Sequence, residues 1–187
     1  MFAPVLNNLF RKDPVRSQAE TLYAALAERS RAPEFYTLAG VADTPEGRFD
    51  LLALHMFLAV DRLRRETPQT DRLVRRLQEV FFERLDSALR EMGVGDLSVG
   101  RKIRGLAEAF YGRYAAYEAG FRDAGAALDA AIARNLLGSD DAALAKPLAD
   151  YVRAARSNLA EAPIDALDAA FEGLAEISHR IISRETK

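Results

Sequence analysis

The chain has 187 residues, of which 49% are apolar and 29% are charged. This length is enough for one compact domain with its own core, and the apolar content excludes an intrinsically disordered chain. The absence of cysteine excludes a disulfide-stabilised mini-protein. The longest apolar run, residues 51–60, contains His55 and is much shorter than the ~18 residues that a membrane-spanning helix needs. The first ten residues lack the basic start and cleavage site of a secretory signal, so a cytoplasmic location is expected.

Basic and acidic residues nearly balance over the whole chain, with 26 against 28, but their distribution is uneven. Residues 54–76 carry six arginines against three acids, whereas residues 137–176 carry eight acids against three bases. This asymmetry is compatible both with an oriented partner surface and with ordinary solvated helix faces. Arg72, Arg75 and Arg76 fall near one helix face, which allows an alternative function as a helical adaptor that binds RNA or the ribosome. The near-neutral net charge argues against a dedicated nucleic-acid binder, and no DNA contact is expected.

Helices are the expected secondary structure. The chain contains 34 alanines but only 15 valines and isoleucines together, a composition that favours helix over strand. The hydrophobic spacing predicts an all-α fold, a single compact bundle of about seven helices in one domain over residues 1–187. The predicted helices cover residues 15–29, 45–66, 68–92, 98–120, 123–135, 141–158 and 164–183, with an irregular stretch at 31–43.

The segment before the first predicted helix is strongly apolar. Its large side chains are Phe2, Val5, Leu6, Leu9 and Phe10, followed by the bases Arg11 and Lys12. This pattern predicts either a short peripheral contact with a membrane surface or packing on the chain's own domain.

Thr-Pro pairs at residues 44–45 and 67–68 mark two predicted helix starts. Threonine accepts a hydrogen bond from a first-turn amide, and proline suits the first helical position. The helix after the first pair is apolar nearly all round in its middle, so it is expected to be the central buried helix. Ser98 is expected to cap the fourth helix, after a turn in which Gly93 and Gly95 allow positive φ.

Few residues point to catalysis. The sequence has no cysteine nucleophile, no glycine-rich phosphate-binding loop and no His-Glu-x-x-His metal motif. His55 lies in the most apolar helix, which is more typical of a hydrogen-bonded core histidine than of a ligand. His179 follows Glu176 in a single Glu-x-x-His motif, whereas a di-iron bundle needs two such motifs and two further glutamates. A metal-dependent bundle enzyme is therefore a minor alternative, and we expect no catalytic residue, no metal ligand and no cofactor.

The fourth predicted helix carries two apolar stripes. Large side chains at helical spacing form the first stripe, over residues 99–121. The second stripe consists of the small residues Gly105, Ala109, Gly112, Ala116 and Gly120. Because glycine inside a helix costs about 0.5–1 kcal/mol relative to alanine, the stripe predicts close approach by another backbone. The neighbour is either a helix of the same domain or a partner helix in a groove with basic edges, which Arg101, Lys102, Arg104 and Arg113 would supply.

Five short blocks stand in series along the chain. They are Ala32-Pro33-Glu34-Phe35-Tyr36, residues 40–50, Leu54-His55, residues 89–96 and Ala109-Phe110-Tyr111-Gly112-Arg113. In this order they resemble the signature blocks of the ubiquinol–cytochrome c chaperone family. The resemblance covers roughly residues 22–135, and residues 136–187 are expected to form a helical C-terminal extension. The long N-terminal extension of mitochondrial members is absent, which favours a bacterial-type member.

The resemblance implies a non-catalytic assembly chaperone for the ubiquinol–cytochrome c reductase, the respiratory cytochrome bc complex. The expected partner is newly made cytochrome b or another subunit of the complex. Mitochondrial relatives also imply a small partner protein and the ribosome, and a peripheral position at the cytoplasmic face of the inner membrane is a further expectation. The candidate partner-binding residues are Arg101, Lys102, Arg104, Gly105, Ala109, Phe110, Tyr111, Gly112, Arg113 and Ala116. Residues of the family blocks with expected structural roles are Asp43, Gly47, Arg48, His55, Gly93, Gly95 and Asp96.

Overall fold

The computed structural model describes residues 13–123 and 127–183. Its helices are α1 (Pro14–Arg29), α2 (Pro33–Thr37), α3 (Pro45–Arg64), α4 (Asp71–Glu91), α5 (Asp96–Arg122), α6 (Ala127–Ile132), α7 (Lys146–Ala160) and α8 (Leu167–Ile182). Short segments of tighter or wider helix at Ala133–Leu137, Ala142–Ala145 and Ile164–Ala166 connect the last three helices. These two ranges contain no strand, so the predicted all-α fold is confirmed. No helix within them has the length and apolar character that a membrane crossing requires.

The most apolar helix, α3, lies at the centre of the bundle. It contacts α1, α4, α5 and α7. Met56, Phe57 and Leu58 are all buried at its middle, and as consecutive residues they point to different faces of the helix. A helix that is apolar all round leaves no face for water, so the central position predicted for α3 is confirmed. Around it, α1 packs against both α4 and α8, α7 packs against α8, and α5 packs against α6.

The start of α3 is determined by a side-chain cap and a close backbone contact. The Gly47 amide donates a hydrogen bond to Thr44 Oγ1 over 3.1 Å, as expected for the first Thr-Pro pair. A Cβ atom at Gly47 would lie 2.0 Å from the carbonyl oxygen of Ala42. Because glycine has no side chain, the segment that precedes α3 can cross directly over the first turn of the helix.

The start predicted for the next helix is wrong. The helix α4 begins at Asp71 rather than at residue 68, and Thr70 is its N-cap residue. The Thr70 hydroxyl donates a hydrogen bond of 2.5 Å to the carbonyl oxygen of Leu63, near the end of α3. Residues 65–70 therefore form a turn that is bound back to α3, and Thr67 does not cap α4.

Two further differences concern short segments. The helix α5 begins at Asp96 with Gly95 at its N-cap, so Ser98 lies inside the first turn instead of capping it. The stretch predicted to be irregular contains α2, whose Phe35 is completely buried. A helix of five residues is too short for hydrophobic spacing to reveal it.

The last helices are less regular than predicted. The chain after α6 widens into a π-helical turn, Ala133–Leu137, which ends at Gly138 with a φ of +60°. The Asp141 carboxylate then accepts a hydrogen bond of 2.9 Å from the Ala143 amide and starts the segment before α7. The predicted helices 141–158 and 164–183 each consist of a short 3₁₀ segment followed by a regular helix.

Candidate partner-binding groove

An open groove with a volume of about 910 Å³ lies between α1, the start of α3, the end of α4 and the first half of α5. Most of its lining is apolar. The apolar lining residues are Tyr23, Ala27, Tyr36, Pro45, Phe49, Leu52, Leu85, Ala88, Leu89, Met92, Val94, Leu106 and Ala109. Covering such a surface removes apolar area from water, so the groove is suited to an apolar segment of another molecule.

Helical spacing explains why α4 and α5 each present a wall to the groove. Leu85 and Leu89 are four residues apart on one side of α4, and Met92 follows three residues later at its C-cap. Leu106 and Ala109 are three residues apart along α5 and likewise share a side. The two sides face the same space, and both line the groove.

The small-residue stripe of α5 has different surroundings at its two ends. Gly105 and Ala109 line the groove, and a Cβ atom at Gly105 would meet no other atom within 4 Å. Gly112 is also open, although it does not line the groove. At the other end, a Cβ atom at Gly120 would lie 2.8 Å from the Cα atom of Leu128. A helix of the same domain therefore packs closely on the stripe at Gly120, whereas the stripe stays accessible at Gly105 and Gly112.

The other candidate residues of α5 are divided between core and surface. Phe110 is fully buried among the aromatic rings of α4 and α5, so it supports the wall from inside and cannot contact a partner in this conformation. Ala116 is half-buried against the core. Tyr111 is 49% exposed. Tyr111, Arg101 and Arg104 lie on the outer surface of α5, beside the groove but not in its lining.

Positive charge predominates around the groove. The charged lining residues are the bases Arg31, Arg48, Arg84, Lys102 and Arg113 and the acids Glu46 and Asp50. Arg48 pairs with Asp43 over 2.7 Å, and Arg113 pairs with Asp50 over 2.7 Å. Over residues 13–123 and 127–183, no ion pair involves Arg84 or Lys102. These two side chains keep their charge available for an acidic group on a partner.

Polar groups with incomplete hydrogen bonding lie at the inner side of α5. Burial raises the pKa of the Asp50 carboxyl, and the charge of Arg113 opposes this shift. The Arg113 guanidinium lies 5.6 Å from the Phe49 ring centre, but its buried Nε atom has no partner in the described part of the chain. The buried hydroxyl of Tyr117 also has no hydrogen-bond partner among the described residues, and burial strongly raises the pKa of this hydroxyl. Buried polar atoms without a partner are rare, so Arg113 Nε and the Tyr117 hydroxyl are unusual among the described residues.

The sequence as a whole matches one protein family. The family model for the ubiquinol–cytochrome c chaperone matches residues 37–171, from the last residue of α2 into α8. The chain belongs to the ubiquinol–cytochrome c chaperone family. The family predicted from the short blocks is therefore confirmed, and the match extends beyond residue 136 through all of α7.

Two similar proteins agree with this family. The ubiquinol-cytochrome-c reductase complex assembly factor 1 of Xenopus laevis is 25% identical over 146 residues, which cover 77% of this chain and 73% of that protein. The crystal structure of the Cbp3 homolog from Brucella abortus superposes with a TM-score of 0.74 at 35% identity, over 89% of this chain and 94% of the other. The sequence is thus similar to that of a complex assembly factor, and the helical arrangement is similar to that of a Cbp3 homolog.

The family blocks predicted to be structural form two turns beside the groove. The Asp43–Arg48 ion pair spans the start of α3, where Gly47 allows the close backbone contact. In the α4–α5 turn, Gly93 has a φ of +82°, a conformation that favours glycine. Asp96 pairs with Arg90 across the same turn.

Gly95, the remaining residue of these blocks, has a φ of −66°, so its backbone angle does not require glycine. Glu46 and Arg48 at the first turn, and Met92 and Val94 at the second, line the groove. The two turns therefore position opposite edges of the groove.

His55 is fully buried on α3 and does not line the groove, although Ser30, which it contacts, does. Its Nδ1 atom is 2.8 Å from the Leu51 carbonyl oxygen and 3.0 Å from Ser30 Oγ, and its Nε2 atom is 2.8 Å from the Tyr151 hydroxyl. Because a carbonyl oxygen only accepts, Nδ1 carries the proton and Nε2 accepts from Tyr151. Burial lowers the pKa of His55 to about 4, so the ring is neutral at pH 7 and serves as a hydrogen-bonding core residue.

Much of the predicted basic cluster is used by the fold. Arg62 is buried and donates hydrogen bonds to the carbonyl oxygens of Leu159 and Ala162, both over 2.8 Å, at the end of α7. Arg72 and Arg76 both pair with Asp13, at 3.0 and 3.2 Å. The RNA-binding alternative therefore has fewer available charges than the sequence suggests.

Two other features of the sequence, the Glu-x-x-His motif and the apolar N-terminal segment, are not part of the groove. Glu176 and His179 are exposed on α8, and no group of three or more metal-ligating side chains occurs among the residues that the structure describes. The apolar segment of residues 1–12 lies outside the described residues.

The sequence did not reveal the walls contributed by α1 and α4. Tyr23 is half-buried and lines the groove together with Ala27 and Arg84. One signal was present: the apolar spacing of α4 continues to Met92, beyond the part of the helix that the core can cover. An apolar stripe that extends beyond the helices packed against it indicates an interaction surface.

Proposed function

We propose that this protein is a non-catalytic assembly chaperone for the ubiquinol–cytochrome c reductase, and that its groove binds newly made cytochrome b. The observation that carries the proposal is an open, mostly apolar groove with a basic rim in a chain of the ubiquinol–cytochrome c chaperone family. The name of the Xenopus laevis relative, a ubiquinol-cytochrome-c reductase complex assembly factor, supports the choice of complex.

The physical requirement on such a chaperone is to keep an apolar client from water. Cytochrome b is a bundle of apolar helices, and an unassembled apolar helix in water associates non-specifically because burial of its surface is strongly favourable. A groove lined by Leu85, Leu89 and Leu106 offers a temporary substitute for the missing helix neighbours. Small residues on one wall, Gly105 and Ala109, let the backbone of a client helix approach closely.

The basic rim gives the groove a preference among apolar segments. Arg84 and Lys102 flank the apolar lining and attract a segment that ends in acidic residues. Attraction between these rim charges and acidic residues of the client accelerates association more than it strengthens the final complex. Binding that is fast and reversible suits a chaperone, which must release its client to the growing complex.

The first experiment compares two glycines of the same helix in a strain that lacks the chromosomal gene. Deletion is expected to lower the amount of assembled cytochrome b, measured by its haem absorbance, while other respiratory complexes persist. A plasmid copy with Gly105→Leu is expected to fail in complementation, because the new side chain enters the groove. The matched control Gly112→Leu, which is equally open but lies outside the groove, is expected to restore assembly.

Normal content of the bc complex in the deletion strain would refute the function. Equal complementation by both glycine variants would refute the groove as its site.

A second experiment identifies the client. A photo-crosslinking amino acid at Ala88, an exposed residue in the groove lining, is expected to capture cytochrome b during its synthesis. The same amino acid at Leu144, which is exposed elsewhere on the chain, is the control and is expected not to capture it. Capture of a different bc subunit at Ala88 would keep the chaperone function and reject cytochrome b as the client.

A further inference from the structure

The turn between α4 and α5 presents two unusually exposed apolar side chains. Leu97 is 97% exposed and Met92 is 60% exposed, the highest values among the large apolar residues of the described ranges. They lie five positions apart, on either side of the glycines that make the turn. Exposure this high is costly in water, so the tip is suited to an apolar environment that the fold does not supply.

Cations follow this tip along the first turns of α5. Leu97, Arg101 and Arg104 are spaced four and three residues apart, so they lie on the same face of the helix. No ion pair in the described part of the chain involves either arginine or the adjacent Lys102. Residues 90–104 contain four bases (Arg90 and the three just named) against the two acids Glu91 and Asp96, and Asp96 pairs with Arg90.

We propose that this tip docks on the surface of an anionic lipid bilayer. Leu97 and Met92 enter the boundary between headgroups and acyl chains, while Arg101 and Arg104 contact lipid phosphates. The arrangement is that of an interfacial anchor: a few apolar side chains at the leading end, with basic residues one to two turns behind them. Glu108 follows on the same face, so the basic part is confined to the end next to the tip.

The shape of the tip favours a bilayer over a protein partner. Partner proteins bury hot-spot side chains in fitted pockets, and the groove already provides such a concave surface. The tip is a protruding turn whose Leu97 side chain is almost free of neighbours, a form that enters a fluid interface without a matching pocket.

Docking at the tip goes beyond the proposed function and is independent of it, because Leu97, Arg101 and Arg104 do not line the groove. The two surfaces are nevertheless adjacent. Met92, Val94 and Lys102 belong both to the tip region and to the groove lining. A protein docked in this way holds one edge of its groove at the membrane surface, where an apolar client helix is delivered.

The test is sedimentation of the purified full chain with vesicles. Vesicles that contain phosphatidylglycerol and phosphatidylcholine are expected to bind the protein, and binding should weaken as salt is raised. Vesicles of phosphatidylcholine alone are expected to bind much less. Since each basic residue near an anionic surface changes partitioning by about fivefold, the double variant R101E/R104E should bind at least ~20-fold more weakly. L97D should reduce binding at least ~10-fold, because a charge replaces the inserted side chain.

Matched controls separate the tip from general effects of charge and apolarity. L144D changes a leucine that is 59% exposed at a different place in the fold. R75E/R180E makes the same net charge change on exposed residues of α4 and α8. Both controls should bind vesicles like the unchanged protein, and L97S provides a second tip variant if L97D folds poorly.

Three outcomes would overturn the proposal: no binding of the unchanged protein to anionic vesicles, equal binding to both vesicle types, or tip variants that bind like the controls. If the unchanged protein does not bind vesicles but forms a complex with another protein in detergent, and L97D does not form that complex, the tip binds a protein instead of a bilayer. Crosslinking of the client at Ala88 is a separate measurement, so failure at the tip and failure of the proposed function are distinguishable.

Discussion

The two sides of α3 differ in how completely their buried polar groups find hydrogen-bond partners within the fold. On the side that faces α7, His55 is buried with every ring nitrogen in a hydrogen bond. On the side that faces α4 and α5, Asp50 and Arg113 pair beside an open groove, and the Arg113 Nε atom has no partner in the described residues. The comparison separates residues that stabilise the domain from residues that remain available to another molecule.

This difference leads to opposite expectations for mutations. Changes on the closed side remove interactions that the protein makes with itself, so they should lower the free energy of unfolding. Changes on the open side remove interactions that exist only in a complex, so they should alter binding and leave stability nearly unchanged.

The largest effect is expected for His55→Leu. Leucine keeps the apolar packing but leaves the Tyr151 hydroxyl and the Ser30 hydroxyl without their shared partner. We expect a loss of about 2–4 kcal/mol in the free energy of unfolding, measured by urea denaturation. Tyr151→Phe, which removes one hydrogen bond and no ring, is the milder control at about 1 kcal/mol. An unchanged midpoint for His55→Leu would show that the closed side is not stabilised by this network.

The same residue predicts a pH dependence of stability. The pKa of His55 is about 4 in the folded protein and 6.5 in the reference state, so the unfolded chain binds the proton more readily. Its contribution to stability is therefore complete above pH 6.5 and is lost as the pH falls toward 4. The free energy of unfolding should drop by on the order of 2–3 kcal/mol between pH 6.5 and 4.5. This slope should be absent in His55→Leu, and an identical slope in that variant would contradict the assignment.

Gly120→Ala tests the closed end of the small-residue stripe. The added Cβ atom would lie 2.8 Å from the Leu128 Cα atom and 3.0 Å from its backbone nitrogen, and neither atom can move without moving α6. We expect a loss of about 1–3 kcal/mol in the free energy of unfolding. The measurement is thermal denaturation, and a neutral or stabilising result would mean that α6 does not pack here as closely as described.

Reversing the two unpaired rim charges tests the open side. The double variant Arg84→Glu/Lys102→Glu should slow association with a captured client by roughly tenfold at low salt and flatten the salt dependence of the rate. Thermal stability should change little, because neither side chain makes an ion pair in the described part of the chain. Arg75→Glu on α4, outside the groove, is the control and should associate at the normal rate.

The smallest effect has the opposite sign. Gly105→Ala adds a Cβ atom into open space, so only the helical preference of the residue changes. We expect stabilisation by about 0.5–1 kcal/mol in the same thermal assay as Gly120→Ala. Two glycines of one stripe would then respond in opposite directions, and equal responses would remove the distinction between its open and closed ends.

The helices were predictable because their signals are local. Spacing of apolar residues identified the segments that became α3, α4 and α5, and the Thr44-Pro45 pair marked the start of α3 correctly. The helix start predicted from Thr67-Pro68 was wrong because the local preference of this pair for a helix start competed with a longer-range hydrogen bond, from the Thr70 hydroxyl back to the Leu63 carbonyl oxygen. The short helix α2 was missed because five residues carry too little periodicity.

The candidate site was predictable only in part. The α5 side of the groove was proposed from its glycines and flanking cations, whereas Phe110 was chosen with it and is fully buried. The walls from α1 and α4 were missed because Tyr23, Ala27 and Leu85 have no chemical feature that separates them from core residues.

The amino-acid sequence by itself determined an all-helical domain with α3 as its centre, and its blocks were enough to indicate the family. These properties depend on residues close together in the chain, where a period of 3.6 residues and a few turn-forming residues act directly. Only the tertiary structure decided which apolar stripes were covered, because that depends on how closely helices from distant parts of the chain approach one another. The same five small residues of α5 are packed at Gly120 and open at Gly105 for this reason alone.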